Sequence, residues 1–239
     1  MHRHALAKTL REASPFFLIA GPCVLESEQV VMAIADRLAA VKKDLQIPVI
    51  FKASFDKANR QDLMSYRGPG LERGLEMLRN VKEATGLPVL TDVHETHQVA
   101  PVAQVADIIQ IPAFLSRQTD LLVEAARSGR LVNLKKGQML SAETMLLAAK
   151  KVVMTQKDSA VIQRPSSSHA GATTSGGDRE FIPTIARMAA AVGVDGFFFE
   201  THLDPKQALC DSATMLPIDE LEPLLVELIA IAKASKALS

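Results

Sequence analysis

Three cations fall within nine residues, Lys52, Lys57 and Arg60, in the string Phe51-Lys52-Ala53-Ser54-Phe55-Asp56-Lys57-Ala58-Asn59-Arg60. Lys52 directly follows the apolar run 49–51, so its stem is expected to be buried, and a buried lysine needs a partner. Strand alternation puts Lys52 and Ser54 on one side. Cations aimed at one cavity repel each other unless an anion lies between them, and phosphate or carboxylate is the natural anion. The competing reading is an exposed basic loop. Lys135 repeats the pattern: it shares the inward parity of Asn133, whereas Lys136 has the opposite parity.

A second set of residues has the chemistry of a metal site. Cys23, Glu200 and Asp211 offer a thiolate and two carboxylates, a donor set for a divalent ion of the Zn, Fe or Mn type. A buried, inert thiol is the alternative for Cys23. Cys210 is given no role, and its replacement by serine is expected to be nearly silent. His94, His97 and His202 are loop candidates, and His2 and His4 read as part of a disordered terminus. Gly176-Gly177-Asp178-Arg179 precedes a helical stretch. It is either an anion site at a helix start or a plain start capped by Ser175 or Asp178.

These residues need elements to position them. Short apolar runs at 16–20, 49–51, 88–91, 107–111, 130–134, 152–154, 160–162 and 196–199 read as strands. Stretches at 28–41, 70–84, 119–128, 142–151, 180–192 and 221–236 have helical spacing. Strands alternating with helices imply parallel pairing, and continuous apolar runs imply a sheet covered on both faces. Seven or eight strands predict an α/β fold, a (β/α)8 TIM barrel over 1–239 as a single domain, with a doubly wound open sheet as the alternative. In a barrel the chemistry collects at the C-terminal strand ends. There stand Cys23, the 52–60 string, Asp92 and His94, Gln110-Ile111-Pro112-Ala113-Phe114, Asn133 with Lys135, and Glu200. One region fits badly. Only five residues separate 152–154 from 160–162, too few for a parallel crossover.

Composition narrows the partners. The 239 residues carry 27 basic and 27 acidic side chains, a net charge of +0, so no global basic field favours nucleic acid. Trp is absent and Tyr66 is the single Tyr, which disfavours base stacking. No apolar stretch approaches the roughly 20 residues of a membrane span. Two cysteines make no disulfide framework, and a reducing cytoplasm is the expected compartment.

The 51–60 string, together with Arg67-Gly68-Pro69-Gly70, Gln110-Ile111-Pro112-Ala113-Phe114-Leu115 and Arg117-Gln118-Thr119-Asp120-Leu121, resembles the 3-deoxy-D-manno-octulosonate 8-phosphate synthases, metal-dependent type. The likeness runs from about Phe16 to the last helix. The related heptulosonate phosphate synthases share Ala20-Gly21-Pro22-Cys23 but carry a Lys-Pro-Arg type string where this chain has 56–60. The resemblance implies condensation of phosphoenolpyruvate with D-arabinose 5-phosphate in a cytoplasmic homo-oligomer, a tetramer. It implies Lys52, Lys57 and Lys135 as catalytic groups on phosphoenolpyruvate, with Asp92 and His94 lining the site. Asn59 and Arg60 hold the sugar phosphate, and Ser54, Gln110, Pro112, Ala113 and Phe114 complete the substrate contacts. Cys23, Glu200 and Asp211 become metal ligands. The family also carries an Arg-Gly string ending strand six and an Asp-Ala-Thr-His string ending strand seven, whose histidine is a fourth ligand. Neither appears here. Ile162 is followed by Gln163-Arg164-Pro165, and segments around 155–169 are missing relative to the family. Either residues are left out of the sequence, the favoured reading, or the protein lacks them. His169 is not expected to replace the absent ligand.

Overall fold

The run Phe17–Gly21 is buried along its whole length and forms β1, an interior strand of a parallel sheet. A computed structural model describes residues 3–60, 62–155, 161–165 and 178–237. Among them α1 (Arg3–Arg11) precedes β1, followed by α2 (Glu28–Leu45), β2 (Val49–Lys52), α3 (Leu71–Thr85), β3 (Val89–Asp92), α4 (Thr96–Val105), β4 (Ile108–Ile111) and α5 (Thr119–Arg127). β5 (Leu131–Lys136), α6 (Ala142–Thr155), β6 (Val161–Pro165), α7 (Ile182–Val192), β7 (Gly196–His202), β8 (Leu216–Pro217) and α8 (Ile218–Lys236) complete the order. The strands run in the order β6-β5-β4-β3-β2-β1-β7-β8, and the paired strands are all parallel.

Alternation along the strands sorts the core into two layers. One parity, including Leu18, Phe51, Val89, Ile109, Val132 and Phe199, packs under the helices. α2 shows how a helix meets it: Val31, Ile34, Ala35, Leu38 and Val41 form one buried stripe, and Ser27 Oγ caps the start by accepting from Val30 N at 3.3 Å. The opposite parity, Ile19, Ile50, Leu90, Ile108 and Leu131, forms a separate apolar cluster closed by Leu6, Ala7 and Leu10 of α1.

Two expectations are corrected. The run 152–154 is not a strand but the last turn of α6, with Val152 buried among helix and sheet. α6 thereby supplies the crossover from β5 to β6 that a parallel pair requires, and the short spacing disappears as a difficulty. His4 lies inside α1 rather than in a disordered terminus, while His2 lies outside the described residues. α4 was hidden by Pro101, which reads as a breaker. Gln98 Oε1 secures its start by accepting from His94 N at 2.8 Å and Glu95 N at 3.3 Å. β8 is only two residues long, too short to leave a periodic signal.

Candidate active site

Two residues beyond the inner apolar layer, the same strand parity turns polar. Gly21, Lys52, Asp92, Gln110, Asn133 and Glu200 follow Ile19, Ile50, Leu90, Ile108, Leu131 and Phe198 at the C-terminal strand ends. Gly21 is required there: with φ of 155°, a β-carbon would lie 2.1 Å from the Lys52 carbonyl oxygen.

Lys52 is only 1% exposed. Its Nζ donates to the Cys23 carbonyl and to Ser54 Oγ, both at 3.1 Å, and lies 3.7 Å from Glu200 Oε1. Lys57 Nζ donates to the same Ser54 Oγ at 3.0 Å. Burial pulls the Lys57 pKa down, but Cys23, Asp92 and Glu200 outweigh it and hold it well above the ordinary lysine value. Asp92 is the mirror case. Burial disfavours its charge, yet the hydrogen bond with His94 Nε2 (3.1 Å) and the cations Lys57 and Lys52 keep it well below the usual carboxylate range. His94 Nδ1 and Asp92 Oδ1 are buried and unpartnered.

The loop carrying Lys57 and Arg60 is braced from behind. Arg67 grips the Asp56 carboxylate at 2.8 and 2.6 Å, its carbonyl accepts from Lys57 N at 2.7 Å, and Gly70 N donates to the Phe55 carbonyl at 3.1 Å. Gly68 allows the close approach, since a β-carbon there would meet the Phe55 carbonyl oxygen at 2.4 Å. Arg60 Nη1 stands 3.8 Å from Asp211 Oδ1, while its Nε and Nη2 are buried without an acceptor.

Cys23, fully buried, lies with its Sγ 2.6 Å from Cys210 Sγ and donates to Asp211 Oδ2 at 3.1 Å; Cys210 donates to the same oxygen at 3.4 Å. Burial, reinforced by Cys210 and Glu200, pushes the Cys23 thiol well up. One donor atom from each of Cys23, Cys210 and Asp211 lies within 4.8 Å of the others; a thiolate with the carboxylate suits a divalent ion such as zinc, but the two sulfurs, 2.6 Å apart, stand closer than the roughly 3.8 Å of two thiolates on one tetrahedral ion. Glu200 is directed at Lys52 instead of joining that group.

Elsewhere the expected residues divide. Gln110 Oε1 accepts from Asn133 Nδ2 at 2.7 Å in the buried layer. Lys135 lies half-buried one step beyond Asn133, and Lys136 Nζ donates to the Gly137 carbonyl at 2.9 Å. Pro112 and Ala113 are half-buried after β4, whereas Phe114, 72% exposed, and Asn59 stand at the rim and are not drawn into the buried cluster. His97 pairs with Glu95 on the surface, and buried His202 is tied to the backbone of Asp204. Asp178 opens a single 3-10 turn (Arg179–Phe181) without a side-chain cap. His169, Ser175, Gly176 and Gly177 lie outside the described residues. Sequence reasoning missed Cys210; its adjacency to Asp211 was the available signal.

The sequence model of the DAHP synthetase I family matches residues 11–164 and 166–236. The chain belongs to that family. Within it, a 2-dehydro-3-deoxyphosphooctonate aldolase of Syntrophotalea carbinolica is 45% identical over 251 residues, covering 91% of this chain and 91% of the relative. The protein of the same name from Pisum sativum is 43% identical over 270 residues, covering 97% and 93%. 2-Dehydro-3-deoxyphosphooctonate aldolase 2 of Arabidopsis thaliana is 45% identical, covering 95% and 91%. These alignments exceed the 239 residues of the chain, so the relatives carry residues within the matched span that this chain lacks. The family match is interrupted at Pro165, the last residue of β6, where strand-end strings were found wanting. Among the described residues no helix is long and apolar enough to cross a membrane.

Proposed function

We propose that this chain is a transferase that condenses phosphoenolpyruvate with D-arabinose 5-phosphate and water, giving 3-deoxy-D-manno-octulosonate 8-phosphate and inorganic phosphate. The observation that carries the reading is the identity of 42–45% with relatives named 2-dehydro-3-deoxyphosphooctonate aldolase along more than nine-tenths of the chain. The convergence of buried cations at the strand ends supports it. We also read the parallel sheet as that of a (β/α)8 TIM barrel forming one domain, and the enzyme as a cytoplasmic homo-oligomer.

Lys52, Lys57 and Lys135 neutralise the phosphate and carboxylate of phosphoenolpyruvate. The unpartnered donors of Arg60, with Asn59, take the sugar phosphate. Ser54, Gln110, Pro112, Ala113 and Phe114 border the substrates, and Asp92 orients His94 toward the reacting centre. C3 of phosphoenolpyruvate then attacks the aldehyde carbon, water adds at C2, and the C2–O bond to phosphate breaks as the ketone forms. The cations are placed where negative charge collects in that transition state. Cys23 and Asp211, with Glu200 nearby, would hold a divalent ion, which supplies Lewis acidity toward the aldehyde or water.

The test is phosphate release that requires both substrates. Turnover with erythrose 4-phosphate but not arabinose 5-phosphate would move the chain to the heptulosonate-forming reaction after which the family is named.

A further inference from the structure

α6 differs from most of its neighbours in what it shows to solvent. Its buried stripe is Met145, Ala148 and Val152, and on one flank Lys151 Nζ donates to Thr119 Oγ1 of α5 at 2.7 Å. On a surface helix the side turned away from the buried stripe is ordinarily polar. Here Leu146, Leu147 and Met154 are 55%, 60% and 83% exposed, and Met139, in the turn before the helix, is 95% exposed. Among the described residues, α2, α3, α4 and α5 expose no large apolar side chain.

Taking about 100° of turn per residue, Glu143, Leu146, Leu147, Lys150 and Met154 lie within about 100° of arc, opposite the buried stripe. Together with Met139 they form a chemical palindrome. Positions 139, 143, 146, 147, 150 and 154 are symmetric about the midpoint of Leu146 and Leu147, and their order is Met, Glu, Leu, Leu, Lys, Met. Turned end for end, Met139 falls on Met154, Leu146 on Leu147, and Glu143 on Lys150. A twofold interface demands this self-complementarity, because residue i of one copy meets j of the other and j meets i. Glu143 and Lys150 are both exposed, so opposite charges can meet at both crossings. α7 also exposes Ile185, Met188 and Val192, but it carries no acidic side chain and offers no such charge match.

We propose that a second copy of this chain docks on this stripe: α6 pairs antiparallel with α6 of the partner about a twofold axis passing between Leu146 and Leu147. The proposal rests on the homo-oligomer reading above and names a surface that joins two copies. The 14 residues of α6 span about 21 Å. Four apolar side chains per copy, each hiding about 100 Å², bury about 800 Å² in total, below the roughly 1,200–2,000 Å² of stable complexes. The pair therefore comes apart on dilution.

The test is sedimentation of the whole purified chain over a broad range of concentration. The mass of the wild type should rise to twice that of Leu147→Glu under the same conditions. Glu143→Lys and Lys150→Glu each place like charges at both crossings, and each should need about tenfold more protein to associate. Mixed in equal amounts, these two variants restore opposite charges at both crossings and should associate as the wild type does. That rescue is expected only of antiparallel pairing in this register. All three positions are exposed, so the variants keep the fold, and an unchanged circular dichroism spectrum checks this. A wild type that stays monomeric at every concentration overturns both the proposal and the homo-oligomer reading. Assembly undisturbed in Leu147→Glu, or a mixture no better than its two components, overturns the α6 pairing and leaves the homo-oligomer reading standing.

Discussion

Lys52 and Lys57 donate to one and the same acceptor, the Oγ of Ser54, at 3.1 and 3.0 Å. Lys52 also stands 3.7 Å from Glu200 Oε1, and Asp92 and Glu200 help hold Lys57 charged, so two ammonium groups meet at one hydroxyl where an anionic substrate group can join them. Lys52→Ala should lower kcat/KM by about a hundredfold or more, a loss of about 3 kcal/mol for one buried contact to a charged group. Lys136→Ala, whose Nζ donates to a backbone carbonyl beside it, should change it by less than about threefold. Equal losses in the two variants would defeat the parity argument.

Arg60 bears two buried donors without acceptors. Arg60→Ala should raise KM for arabinose 5-phosphate at least about tenfold, the cost of one charge-assisted contact, while KM for phosphoenolpyruvate moves little. Steady-state kinetics with each substrate varied in turn would show the reverse pattern if Arg60 served phosphoenolpyruvate.

Gly21→Ala should both destabilise the chain and inactivate it. The added methyl meets the Lys52 carbonyl at 2.1 Å, so β1 and β2 must separate just where Lys52 is anchored. A loss of about 2–3 kcal/mol in urea unfolding is expected, within the range for overpacking a filled core. An alanine variant of wild-type stability and activity would show that the two strands yield freely.

Asp92 titrates lower in the folded chain than in the unfolded one. Its contribution is therefore fully present above about pH 4 and is lost as pH falls toward the folded value. Lys57 is raised, so its contribution is full below about pH 10 and is lost above it. Urea unfolding of wild type and Asp92→Asn should show a stability gap that is constant from about pH 8 to 5 and narrows only below about 4. For Lys57→Met the gap should narrow only on the alkaline side. A gap for Asp92→Asn that already shrinks between about pH 7 and 6 would contradict the assignment.

Chelation should abolish turnover and added Zn, Co or Mn should restore it, with Cys23→Ser needing more metal for half-restoration. Undiminished activity after exhaustive chelation, matched by an active Cys23→Ala, would place the chain among metal-independent catalysts despite its cysteine.

Much of this site was legible because strand periodicity and chemistry coincide. Lys52 after an apolar run of three, and Asp92 and Glu200 at like positions, announce a polar layer at one end of a parallel sheet. The Asn133–Gln110 pair follows from the same parity. Long-range geometry was not legible. No spacing rule says that Cys210 meets Cys23 across 187 positions, because the turn between β7 and β8 is irregular and its path is set by Glu26 and Arg179. The end of α6 misled for a local reason: Val152-Val153-Met154 is as apolar as a strand, and its helical state is set by the turns before it. α1 was invisible because its few apolar residues acquire a purpose only beneath the sheet.

The dry layer of Ile19, Ile50, Leu90, Ile108 and Leu131, sealed from below by α1, lies directly under the charged layer. Such a slab polarises weakly, so the field of the lysines is not dissipated downward and is thrown out through the mouth. At the opposite end of the sheet Leu6 and Leu10 pack against the same apolar layer. A phosphorylated molecule arriving from solvent thus meets an attraction with a direction, strongest at the C-terminal strand ends. Although the chain as a whole is electrically neutral, capture should quicken as ionic strength falls.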